Sequence, residues 1–159
     1  MVMNMTRKEK AEKNFYEGYT CSQSVVKAFS DLIEIDEKTL LKIALPLGGG
    51  LGRLRLTCGA VNGIAIIIGL IFGSSEVDDN NKSLVYSMVQ EVASRFEEHM
   101  GTLNCKKLLE KAEVEVTSKG KPDVRTEEYY RKRPCGKIVY EAARVLEEFL
   151  IEKEIIKEN

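Results

Sequence analysis

The stretch TCGAVNGIAIIIGLIFG, Thr57 to Gly73, decides the fold class. Its apolar run from Ala60 to Phe72 is interrupted by Asn62, Gly63 and Gly69, and it falls short of the roughly 18 to 20 residues that span a bilayer. It reads as a buried core helix that begins at Cys58 and ends near Gly73.

Upstream, Arg7 to Tyr16 suits a short helix that the residues EGY break. A second follows at TCSQSVVKAFSDLI, where Thr20 and Gln23 have capping-box spacing and Val25, Phe29 and Leu32 recur at helical intervals. Asp36 is an N-cap candidate for a third helix, which should end near Pro46 and the glycines Gly48, Gly49, Gly50 and Gly52.

Downstream, Leu84, Val85, Met88, Val89, Val92 and Phe96 form an amphipathic stripe that stops at Gly101. A shorter helix starts at Asn104. The last runs from Pro134 through Ile138, Ala142, Val145, Leu146 and Phe149 to about Glu154. Alternation suited to a strand is confined to AEVEVT, Ala112 to Thr117. The expectation is an all-α, compact single-domain bundle of about five to seven helices over residues 1–159, with a mobile loop at about 113–132.

The chain has 159 residues, 43% hydrophobic and 31% charged, enough to bury a core. Its 24 basic and 25 acidic residues are interspersed and leave a formal net charge of -1, which argues against nucleic acid as a partner. No apolar segment of about 7 to 15 residues follows the basic residues of MVMNMTRKEKAEK, so a secretory signal is not expected and a cytoplasmic location is. No membrane insertion is expected either.

The four cysteines, Cys21, Cys58, Cys105 and Cys135, include no CxxC pair, which weighs against a zinc finger or a thioredoxin-type dithiol. Each opens an apparent helix: TC at 20 and 57, NC at 104, PC at 134. Free N–H groups and the positive end of the helix dipole favour an anion there, and can bring a thiol from about 8.5 down to roughly 3.5 to 7.5. Such thiolates serve as ligands or nucleophiles. Packing as small buried hydrophobes is the plain alternative.

At these residues the chain resembles the redox-active family named for the pattern C, CGAxxG, C, C (C_GCAxxG_C_C). The CGAxxG motif corresponds to Cys58, Gly59, Ala60, Val61, Asn62 and Gly63, and the flanking cysteines match in order as Cys21, Cys105 and Cys135. The similarity spans about residues 7 to 150. It implies a four-cysteine redox site, with an iron–sulfur cluster suspected, in proteins found near oxidoreductase or transporter functions.

The first expectation is that all four cysteines ligate an iron–sulfur cluster, whose negative charge the helix N-termini would stabilise, and that electrons pass to a partner oxidoreductase. The second is metal-free thiol–disulfide chemistry or redox sensing, centred on Cys58. A closed zinc site ranks third, and a non-catalytic interaction module stands beside these. Gly59, Ala60 and Gly63 form a small-residue patch that lets either a cofactor or another backbone come close. A redox partner protein is expected, with homodimerisation left open.

Several other features carry less. Gly48 to Gly52 lacks the order of a phosphate-binding loop. Arg53 and Arg55 could bring positive charge near Cys58, as could the basic cluster RKRPC, Arg131 to Cys135, near its own thiol. His99, the only histidine, reads as a surface residue.

Overall fold

The apolar stretch forms a core helix whose Ile64, Ile67 and Ile68 are almost wholly buried, so its partners must cover it on several sides. In the computed structural model, which describes residues 4–158, those partners are seven other α-helices. In chain order the eight are α1 Arg7–Tyr16, α2 Cys21–Ala28, α3 Glu37–Ala44, α4 Gly59–Phe72, α5 Asp79–Met100, α6 Cys105–Lys111, α7 Glu127–Lys132 and α8 Cys135–Glu152. Residues 1–3 and 159, which the single-domain expectation includes, lie outside the described residues.

Helix α1 lies along α8, and α2 along both α1 and α4, while α5 packs on α4 and α8. The amphipathic α8 buries Ile138, Val139, Val145, Leu146, Phe149 and Leu150. With Phe15, Phe29 and Phe96 these make one continuous core. Each large side chain fully withdrawn from water contributes about 1.5–3 kcal/mol. Among the described residues no helix is long and apolar enough to cross a membrane.

The local signals fix the helix starts. Thr20 and Gln23 make a full capping box, and the side chains of Asp36 and Asn104 accept backbone N–H groups at the starts of α3 and α6. Gly101, at φ 89°, ends α5 in the left-handed region.

The fold is all-α, as expected, but the described residues form eight α-helices rather than five to seven, the left-handed glycine turn at Gly48–Leu51 not being counted among them. One addition is α7, a six-residue helix with no fully buried residue and therefore no apolar stripe to announce it. Thr126 starts it by accepting the Tyr129 N–H. The alternating AEVEVT forms no strand; among the described residues the sole β-type pairing is an antiparallel bridge between Thr57 and Asn104.

The CGAxxG glycines set how closely α2 and α4 approach. A Cβ on Gly63 would lie 3.0 Å from both the Ser22 carbonyl oxygen and Val25 Cβ, and one on Gly59 would lie 3.1 Å from Gly48 Cα. The space beside these glycines is thus filled by the backbone of Ser22, Leu47 and Gly48 and by the side chains of Cys21 and Val25.

Candidate functional site

Each cysteine sits where the local sequence places it, at the start of a helix. Cys21, Cys105 and Cys135 are the first residues of α2, α6 and α8, and Cys58 is itself the N-cap of α4. Thr57, the residue before it, is engaged in the bridge to Asn104. Around that bridge the Cys58 N–H donates to the Leu103 carbonyl at 2.7 Å and the Cys105 N–H to the Leu56 carbonyl at 2.6 Å. These two bonds hold the starts of α4 and α6 side by side.

All four cysteines line one cavity of about 280 Å³. Its floor includes Leu108, Leu109 and Ile138, and its walls are the glycine turn at 48–52 and the segment from Gly120 to Arg125. Gly59 reaches the cavity; Ala60 and Gly63 are not among its lining residues and pack within the helix core. His99 is exposed, as expected of a surface residue.

The glycine turn is unusual in its backbone. Gly49, Gly50, Leu51, Gly52 and Arg53 have φ of 63°, 69°, 72°, 54° and 66° in succession, and Arg55 follows at 61°. Left-handed backbone costs a residue with a side chain roughly 1–2 kcal/mol, so Leu51, Arg53 and Arg55 hold strain that the surroundings must offset. Gly50 has no substitute: a Cβ there would sit 2.7 Å from both Cys105 Cβ and the Leu56 nitrogen.

This turn delivers Arg53 and Arg55 into the cavity wall. Arg55 Nε donates to the Thr117 carbonyl at 2.9 Å and Nη1 toward Cys105 Sγ at 3.7 Å. Arg53 binds the Lys119 carbonyl, Thr117 Oγ1 and Asp123 Oδ1. Arg133, from the basic cluster before Cys135, donates to Asp123 Oδ2 at 2.6 Å. Arg125 donates to the Phe15 and Tyr19 carbonyls and lies over the Phe15 and Tyr129 rings.

The protonation pattern departs from four equivalent thiolates. Cys135 alone is lowered, first by the hydrogen bond from Cys21 and then, against its own burial, by Arg133, Arg125 and Arg55. Cys21 is raised well above the ordinary thiol value by the same hydrogen bond, with burial and the Cys135 charge adding to it. Burial pushes Cys58 up to about 12, outweighing the Ala60 and Val61 N–H groups that act the other way. Cys105 is also raised by burial, with Arg55 opposing. The helix-terminus effect is present, but at three of the four sulfurs removal from water or a neighbouring sulfur is stronger.

The expectation of an iron–sulfur cluster, and of zinc in its place, is overturned. Among the described residues no group of three or more Cys, His, Asp or Glu side chains is disposed to hold a metal ion. Thiolate ligands must converge to about 2.3 Å from a common centre, and the described residues offer no such group. Metal binding by Cys21, Cys58, Cys105 and Cys135, and cluster-based electron transfer with it, are therefore withdrawn. All four thiols are free.

Asp123, Arg125 and Tyr129 complete the cavity and escaped the sequence reading. Asp123 ends SKGKPD, a segment that looks like ordinary loop. Its carboxyl is lowered because Arg53, Arg133 and Arg55 together overcome the effect of burial.

The fold and the site together define a class of protein: an all-α domain with four helix-initiating thiols around one arginine-lined cavity. Within that class the chain belongs to the family described as "Putative redox-active protein (C_GCAxxG_C_C)", whose model matches residues 19–149. Comparisons with curated proteins and with solved structures return no match.

Proposed function

We propose that the protein is a metal-free thiol–disulfide redox protein in which Cys135 is the attacking thiolate and Cys21 the resolving thiol. The observation that carries this is the meeting of Cys21 and Cys135, from the first turns of α2 and α8, in one cavity with the Arg55, Arg125 and Arg133 guanidinium groups. Their hydrogen bond favours opposite protonation states, one sulfur ready to attack and the other holding a proton.

The cycle balances without a metal. The Cys135 thiolate attacks a substrate disulfide, forming a mixed disulfide and expelling one half as a thiolate. That leaving thiolate takes the Cys21 proton. The Cys21 thiolate then attacks the Cys135 sulfur, releases the second half as a thiolate and leaves a Cys21–Cys135 disulfide. Two electrons have passed from protein to substrate. A dithiol partner protein returns them, and a cytoplasmic location would keep the thiols reduced between turnovers.

Cys58, expected as the redox centre, receives a supporting role here because its burial favours the neutral thiol. Exchange with hydroxyethyl disulfide, driven by dithiothreitol, tests the assignment. The Cys135→Ser variant should lose exchange, and Cys21→Ser should stall as a mixed disulfide visible by intact mass. Wild-type exchange in Cys135→Ser would overturn it.

A further inference from the structure

The cavity holds more positive charge than its own residues neutralise. Arg53, Arg55, Arg125 and Arg133 line it, against the carboxylate of Asp123 and the thiolate proposed for Cys135. That carboxylate already serves three of them: Arg53 at 3.2 Å, Arg133 at 2.6 Å and Arg55 at the longer 3.8 Å. Arg55 is only 8% exposed, so water screens it poorly. Like charges brought together out of water cost free energy that a bound anion would recover.

Two guanidinium groups have capacity left. Arg53 Nε is buried without a hydrogen-bond partner, and Arg55 Nη1 has only the weak acceptor Cys105 Sγ, at 3.7 Å. Both arginines are also held on strained, left-handed backbone. Strain maintained at a cavity wall is characteristic of a site that must present a side chain in one orientation. The floor of Leu108, Leu109 and Ile138 suits the methylene and sulfur atoms of a small molecule.

We infer that the cavity selects small disulfides whose halves carry carboxylates, with Arg53 and Arg55 seating a carboxylate beside the thiols. This rests on the thiol–disulfide function proposed above and names its substrate class. A guanidinium fork pairs with a carboxylate through parallel N–H···O bonds, which orients the substrate as well as attracting it. Arg53 and Arg55 act as specificity residues, and the bond exchange itself remains with Cys135 and Cys21.

Two measurements separate this inference from the function beneath it. In the first, oxidation of the reduced protein is timed with oxidised glutathione, which is acidic, and with hydroxyethyl disulfide, which is neutral. The ratio of the two rates should exceed about tenfold, the equivalent of roughly 1.4 kcal/mol. It should fall toward unity in Arg53→Gln and be only partly kept in Arg53→Lys, which retains the charge but not the fork. Equal rates in the wild-type protein would overturn the inference and leave the redox function intact.

The second measurement requires no redox step. S-methylglutathione carries the carboxylates but has no sulfur to exchange, and it should slow alkylation of the cavity thiols by iodoacetamide. Inorganic phosphate at the same concentration should not. Protection without any disulfide exchange would support the carboxylate site and defeat the redox function. Equal protection by phosphate, or none by S-methylglutathione, would overturn the carboxylate assignment.

Discussion

Arg55 Nη1 lies 3.7 Å from Cys105 Sγ, so a residue on strained left-handed backbone touches a thiol at the start of α6. The contact lowers Cys105 against the upward push of its burial. Arg55→Gln should therefore slow alkylation of Cys105 by iodoacetamide near neutral pH, because less of the thiol is then ionised. Peptide-resolved mass spectrometry reads this directly. Unchanged labelling of Cys105 would show that the guanidinium does not act on the sulfur.

Cys135 should be the first thiol to titrate. Its alkylation rate should rise with a midpoint below the ordinary thiol value, and Cys21→Ala, which removes the hydrogen bond, should move that midpoint upward. Arg133→Gln should shift it the same way by a smaller amount. A Cys135 midpoint at or above that of Cys105 would contradict the electrostatics.

Cys58 predicts a loss of stability at high pH. Its folded value is about 12 against an ordinary 9.0, so in that interval the unfolded chain releases a proton that the native state retains. The unfolded state then binds fewer protons, and unfolding becomes more favourable as pH rises. Stability from this group is complete below about 9 and is lost as pH climbs toward 12. Denaturant titrations should show a flatter decline over that range in Cys58→Ala than in the wild-type protein.

Gly50 should tolerate no side chain. Gly50→Ala meets Cys105 Cβ and the Leu56 nitrogen at 2.7 Å and holds alanine at φ 69°. Overpacking and left-handed backbone together predict a loss of about 3 kcal/mol. Gly120→Ala is the control: its φ is 68° but nothing lies within 4 Å of the added carbon, so only the backbone cost of about 1–2 kcal/mol applies.

What was legible in the sequence follows from range. Thr20 with Gln23, Asp36 and Asn104 announced their helices because a cap is settled within four residues. The same local signals put the four cysteines at helix starts. Convergence of those starts on one cavity depends on the Thr57–Asn104 bridge and on the left-handed run from Gly49 to Arg53, neither of which is local. Leu51, Arg53 and Arg55 bear side chains, so their sequence does not announce left-handed backbone.

Protonation was equally hidden. Helix position alone favoured four thiolates, but the burial of Cys58 and the proximity of Cys21 to Cys135 are products of the finished fold. The cluster expectation failed for a related reason. Four ordered cysteines fix the number of sulfurs without fixing the distances between them, and a metal site is defined by those distances.

The most direct test of the central claim is disulfide mapping after treatment of the reduced, full-length protein with one equivalent of oxidised glutathione. Digestion under conditions that block exchange, followed by mass spectrometry, should recover Cys21 and Cys135 as one cross-linked peptide pair, with Cys58 and Cys105 as free thiols. Recovery of all four as free thiols, or of a disulfide between any other pair, would contradict it.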